Sequence, residues 1–299
     1  MVGLIPRRRG AGLTGVTLVR RGVKVDRSHL AAYDRVCGFR LNDQLPATYP
    51  HVLAFPLAMR LLTAPDFPFP AIGLVHIANR ITVSEPLDAG SAYDLSVRAE
   101  NLRAHERGRQ VDIVATASCD GDEVWTSVST YLSKEKQPAR RDTASPAADR
   151  VSDSPPDDSP GHAADVASGH TPTPAAAAAV WRVPARVGTD YAQVSGDRNP
   201  IHSSRIGARL FGFPRPIAHG MWSLARCLAA LEGRLPERYT VDVRFRQPIL
   251  LPARVSFSWQ SATVPNPAAT TPDPAPQPLG GTFLLLGKKT HLAGQVTPE

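Results

Sequence analysis
The chain has 299 residues, 42% of them hydrophobic, enough for one large domain or two ordinary ones with real cores. Its formal charge of +7 is carried by basic residues scattered along the chain with few aromatics between them, which argues against a nucleic-acid face. The three cysteines, Cys37, Cys119 and Cys227, lie far apart and form no C-x-x-C pair, so neither a disulfide framework nor a zinc site is indicated.

A reducing cytoplasm is therefore the expected compartment. Apolar runs fall well short of the roughly 20 residues of a membrane helix, and no apolar signal core follows the basic N-terminus, so neither a membrane nor export is expected. In chain order, Asp26 is placed to cap a helix running to about Phe39, with Leu30, Ala31, Tyr33 and Val36 turned inward. Pro56 to Leu62 reads as a short buried helix, with Pro56 in its first turn and Pro65 ending it. From His76 onward the period changes to two. Tyr93, Leu95 and Val97, then Val111, Ile113 and Ala115, alternate with polar neighbours, and Glu123 to Leu132 supplies a further strand.

Residues 134–179 are rich in Pro, Ala, Ser, Asp and Gly and hold no aromatic residue, so they are expected to form a disordered linker. An insertion of similar character at 263–281 is expected to join two strands. Between them, Thr189 or Asp190 is placed to cap a short helix, and a second helix is expected from about Pro216 to Glu232. That helix carries Ile217, Met221, Leu224, Leu228 and Leu231, with Trp222 and alanines on its other faces, so protein should wrap it on all sides. Tyr239, Val241, Val243 and Phe245, then Val255, Phe257 and Trp259, read as half-exposed antiparallel strands.

The two halves also align. Tyr33, Val36, Gly38 and Arg40 match Tyr191, Val194, Gly196 and Arg198 at one constant offset, which suggests an internal duplication. The same offset sets Phe39 against Asp197 and Gln44 against His202, so the first copy lacks the ionisable pair.

In GDRNPIH, Gly196 permits close backbone approach and Pro200 keeps Asn199 out of helix, which places Asp197, Asn199 and His202 on irregular, locally fixed backbone. A carboxylate and an imidazole sharing one water can activate it, with Asn199 orienting either partner. A capping Asp, an Asn-Pro turn and a surface histidine are the plainer reading of the same residues. Gly220 stands where a helix N-terminus would stabilise negative charge on a carbonyl oxygen, or serves only as a packing glycine. No G-x-S-x-G elbow surrounds Ser195, and His202 and His219 lack metal-ligand spacing. Arg198, Arg205, Arg209, Arg215, Arg244 and Arg246 are candidates for the phosphates of a nucleotide-tailed or carrier-bound substrate, with solvated surface charge the plainer reading of any single one.

The segments YAQVSGDRNPIH and FPRPIAHGM together resemble the hydratase-2 motif of the MaoC-like (R)-specific enoyl-CoA hydratases and dehydratases. The match covers about Tyr191 to Leu231. The resemblance implies an α+β double hot dog, two antiparallel sheets each wrapping a helix, with 1–133 as a degenerate acyl-chain half and 180–299 as the catalytic half. It implies catalytic roles for Asp197, His202, Asn199 and the Gly220 backbone N–H, and reversible hydration of trans-2-enoyl thioesters to (R)-3-hydroxyacyl thioesters. Arg205, Arg215, Arg244 and Phe39 are the expected substrate-binding residues. The expected partner is a thioester on CoA or an acyl carrier protein, with a homodimer allowed and no cofactor, metal, nucleic acid or membrane. A hot-dog thioesterase and a catalytically silent thioester-binding subunit are the alternatives.

Overall fold
The computed structural model describes residues 12–13, 15–134, 178–262 and 280–299. Nearly all of the expected linker, and 263–279 of the expected insertion, lie outside the described residues. At the edges of both, described residues are already strand: one strand extends to Lys134, another starts at Ala179 and a third at Gly281.

The first half contains β1 (Thr17–Lys24), α1 (Arg27–Cys37), α2 (Tyr49–Leu62), β2 (Leu74–Val83), β3 (Ala92–His105), β4 (Gly108–Cys119) and β5 (Asp122–Lys134). The second contains β6 (Ala179–Val183), α3 (Val187–Ser195), α4 (Pro200–Ser203), α5 (Arg205–Leu210), α6 (Gly220–Ala229), β7 (Tyr239–Phe245), β8 (Ala253–Ser261), β9 (Gly281–Leu286) and β10 (Thr290–Pro298).

All ten strands form one antiparallel sheet in the order β1-β3-β4-β5-β2-β7-β10-β9-β8-β6. Read inward from either edge, that order is the same sequence of equivalent strands, so the duplication suggested by the residues is present in the topology. The seam is β2 against β7, in register from Ala78 opposite Arg244 to Val83 opposite Tyr239. A bidentate Arg80–Asp242 pair at 2.7 and 3.0 Å and a Thr82–Thr240 hydroxyl bond cross it on the outer face. The inner faces of both half-sheets cover the helices, and one contiguous apolar core runs through both halves.

The two helical layers meet as well. The α1 and α3 helices end at left-handed glycines, Gly38 (φ 84°) and Gly196 (φ 76°), the conformation that removes the Cβ penalty at a helix C-terminus. Their tyrosines face each other, Tyr33 and Tyr191, with ring centroids 6.2 Å apart. His29 Nε2–H donates to the Val194 carbonyl at 2.8 Å, which leaves Nδ1 to accept from the Tyr49 hydroxyl, also at 2.8 Å.

Four elements differ from the sequence-based expectations. In α1 Asp26 does cap, accepting from the Ser28 and His29 amides, but the buried face is Leu30, Tyr33, Asp34 and Cys37; Ala31 and Val36 are only half-buried. The α2 helix begins at Tyr49, with Pro50 in its first turn and Pro56 in its interior. Pro56 removes a ladder donor, but burial of Tyr49, Val52, Ala54, Leu61 and Leu62 holds the helix together around it. The α3 helix starts before Thr189, whose hydroxyl donates backward to the Arg186 carbonyl and so is not a cap. Finally, α6 starts at Gly220, because Pro216 to Ala218 is held extended: Ala218 N–H donates to Ile249 O at 2.9 Å and Leu251 N–H to Pro216 O at 2.7 Å. As expected, α6 is wrapped by protein, with eight of its ten residues buried. Among the described residues no helix is long and apolar enough to cross a membrane.

Candidate active site
The polar loop is built by three short helices in succession. After Gly196 ends α3, the Asp197 Oδ1 accepts from the Asn199 amide (3.2 Å) and the Asn199 Oδ1 accepts from the Ile201 amide (3.3 Å), capping α4. Ser204 then caps α5. Asn199 is thus placed as a structural cap of the loop. Glycines let these pieces pack backbone to backbone: a Cβ on Gly188 of α3 would stand 1.9 Å from the His202 carbonyl oxygen, and one on Gly207 of α5 would stand 2.7 Å from the Pro200 carbonyl oxygen.

This packing buries His202 and leaves Asp197 half-buried. The His202 Nδ1 lies 2.8 Å from the Ile217 carbonyl, an acceptor, so Nδ1 carries the proton and Nε2 presents a lone pair. That Nε2 is 4.0 Å from Asp197 Oδ2. Burial lowers the His202 pKa, opposed by the Asp197 carboxylate, and keeps the ring neutral.

His219, the residue before α6, stacks on His202 with ring centroids 3.6 Å apart, and its Nε2–H donates to the Asp197 carbonyl at 3.1 Å. Burial, then the neighbouring His202, pushes its pKa well below the ordinary value. His219 occupies the N-cap position of α6, but its side chain makes no capping hydrogen bond and packs on His202 instead. Asp197, His202 and His219 are close enough to be considered as metal ligands. The geometry is a poor one for that purpose. The two rings are stacked only 24° from parallel, so their in-plane lone pairs do not converge, and His219 Nε2 is already a donor.

Gly220 opens α6, where first-turn amides have no helical acceptor. A Cβ there would stand 3.1 to 3.3 Å from the Phe245 ring, so the packing reading of this glycine is met directly by its surroundings.

Near the pair lies an aromatic cluster drawn mostly from the first half, whose residues the sequence did not single out. His76 of β2 and Tyr131 of β5 are cross-strand partners whose rings stack at 4.6 Å, with Phe245 4.9 Å from His76 and His51 of α2 stacked on its other side. Burial raises the Tyr131 pKa, and the charge of Asp197 raises it further, which places the phenol in the field of the loop. Burial lowers His51 to about 4 and His76 to about 3, so both are neutral.

The expected substrate-binding residues are dispersed. Phe39 stands at the far end of an aromatic series, stacked on Tyr33, which meets Tyr191, which meets His219; the pseudo-symmetry places it opposite the acid–imidazole pair rather than beside it. Arg244 is exposed on the outer face of β7, with Thr240 and Asp242, while Phe245 faces Gly220. Strand alternation therefore turns Arg244 away from the loop. Arg205 is exposed on α5 and Arg215 is half-buried just before the extended Pro216 to Ala218 segment.

A ten-stranded antiparallel sheet wrapping two helical layers defines a double hot-dog protein. Residues 178–266 match the family model described as MaoC like domain. The 3-hydroxyacyl-thioester dehydratase X of Mycobacterium tuberculosis is 40% identical over 238 residues, 79% of this chain and 77% of that protein. The crystal structure of HtdX from the same organism is similar at a TM-score of 0.72, with 34% identity, covering 95% of this chain and 100% of that one. The peroxisomal enoyl-CoA hydratase 2 of Arabidopsis thaliana is 49% identical over 39 residues, 13% of each chain. The chain belongs to the MaoC-like dehydratase family.

Proposed function
We propose that the protein is a hydro-lyase that interconverts trans-2-enoyl and (R)-3-hydroxyacyl thioesters in fatty-acid metabolism, with 180–299 as its catalytic half and 1–133 as its acyl-chain half. The carrying observation is the His202 tautomer: Nδ1–H is committed to Ile217 O, so Nε2 and Asp197 Oδ2, 4.0 Å apart, are two acceptors facing one small space. A water donating to both at about 2.8 Å fits between atoms at that separation.

Its oxygen attacks C3 as one proton passes to Asp197. The electron pair of the C2–C3 double bond moves toward the thioester oxygen, where the Gly220 N–H and the N-terminal end of α6 stabilise the charge. Asp197 then returns its proton to C2. The second water proton stays on the new 3-hydroxyl, held until then by His202 Nε2. Dehydration is the reverse. Asn199 supports the turn that aims Asp197, and Arg215, half-buried just before the extended Pro216 to Ala218 segment, is the expected arginine we assign to the phosphates of the substrate's tail. The similarity to a 3-hydroxyacyl-thioester dehydratase over most of both chains supports the same reading. A cytoplasmic enzyme, with its three cysteines free, and a homodimeric assembly belong to the proposal.

The test is to incubate the purified protein with crotonyl-CoA and with a long-chain trans-2-enoyl-CoA, following loss of the conjugated thioester, release of free thiol and the chirality of the product. Hydration to the (R)-alcohol is expected. Thiol release without hydration would make the protein a thioesterase, and no turnover at any chain length would make it a silent subunit.

A further inference from the structure
The short helix α5 lies three residues beyond His202 and shows solvent two parallel stripes. Gly207 and Ala208 are buried against the loop, whereas Arg205 and Arg209 form one exposed i, i+4 pair and Ile206 and Leu210 form another. Ile206 is 73% exposed and Leu210 79%, and Phe211 beside them is 40% exposed. Side chains of this size left so open, next to one another, mark an interaction surface more often than a free one. The charge is equally uncompensated. Arg198, Arg205, Arg209 and Arg215 occur with no acidic residue among them, and the next acid after Asp197 is Glu232. Among the described residues, none of these four arginines is in an ion pair.

The stripes are on the convex side of a helix. A free nucleotide tail calls for a concave pocket, whereas a convex face of alternating guanidinium and aliphatic groups suits an acidic protein surface that also carries apolar side chains. A second copy of this chain docking through the same face would oppose arginine to arginine. We infer that α5, through Ile206 and Leu210 flanked by Arg205 and Arg209, is the docking face for an acyl carrier protein: an acidic carrier whose thioester is delivered past α5 to the loop on a flexible phosphopantetheine arm. This inference rests on the thioester reading of the site.

Crotonyl-loaded acyl carrier protein, labelled away from its arm, is titrated with the full chain by fluorescence anisotropy, and the hydration of crotonyl-CoA is measured in parallel. Ile206→Glu and Leu210→Glu replace exposed side chains and keep the fold. Each is expected to weaken carrier binding at least about tenfold, as truncated anchor residues do, while crotonyl-CoA turnover stays within about twofold. Raising salt weakens the wild-type carrier complex. Unchanged carrier binding in both variants overturns the inference. So does an equal loss with crotonyl-CoA, which would make α5 part of the site itself, and so does wild-type binding to phosphatidylglycerol vesicles with none to the carrier. If carrier binding depends on the stripe but neither thioester is hydrated, the proposed reaction fails and the docking face stands.

Discussion

At the scale of single residues, the account depends on two backbone groups that no side-chain motif displays. The Ile217 carbonyl fixes the His202 tautomer, and the Gly220 amide is aimed from the first position of α6. Gly220 can be dissected, because His219 before it is already extended (φ −65°, ψ 140°) and so accepts a following proline, which the first helical position also tolerates. Gly220→Ala adds only the contact with Phe245, whereas Gly220→Pro adds that contact and removes the N–H. The proline variant is expected to turn over at least about a hundredfold more slowly than the alanine variant, the usual loss for one oxyanion donor; equal rates would remove the amide from the mechanism. Protonated His202 cannot accept from water, and burial has lowered its pKa, so the limb of the kcat–pH profile that this group sets should lie below pH 6.5. A His202 limb above that value would mean a protonated working state. The acid, the amide and the histidine were legible because their spacing is fixed by a Gly and a Pro. Tyr131 and His76 were not, because each is one inward position of an ordinary strand, and only the register of β2 against β5 stacks them.

At the scale of elements, the site is a cluster of helices too short to be stable alone and held by contacts no side chain could occupy. Gly188 is the clearest case. A methyl there meets the His202 backbone 1.9 Å away, so Gly188→Ala must push α3 off α4. It is expected to cost about 1–3 kcal/mol, seen as a lower Tm, and to reduce kcat at least about tenfold by moving His202. A variant that loses Tm and keeps kcat would show that the loop holds its own geometry. The sequence carried the existence of these elements better than their limits. Pro56 looked like a helix start because an interior proline is costly, and the burial of α2 on both sides of it could not be seen one residue at a time. Pro216 to Ala218 looked helical by its neighbours, but its partners, Ile249 and Leu251, are more than thirty residues away in the chain.

At the scale of the whole molecule, duplication gave two equivalent halves and only the second carries the Asp and His at the matching positions. Histidines with lowered pKa nevertheless occur in both. His51 is held at about 4 and His76 at about 3, against 6.5 when exposed, and His202 and His219 are lowered too. Unfolding therefore takes up protons below pH 6.5. The stability these groups contribute is fully present above that value and is lost as pH falls toward 4 and 3. Asp34, raised by burial to about 7, works the other way, its penalty growing from about pH 4 to 7. Five lowered histidines, His291 of β10 included, outweigh one carboxyl group, so the urea midpoint should be lower at pH 5 than at pH 7.5; a flat or rising trend toward pH 5 would contradict desolvation of the neutral rings.

The most direct measurement for the single-site claim is the rate of crotonyl-CoA hydration by Asp197→Asn and His202→Gln proteins shown to be folded. Each is expected to lose at least roughly a hundredfold, as when a general acid–base group or the partner that holds its water is removed. Near-normal turnover in either variant would contradict the account.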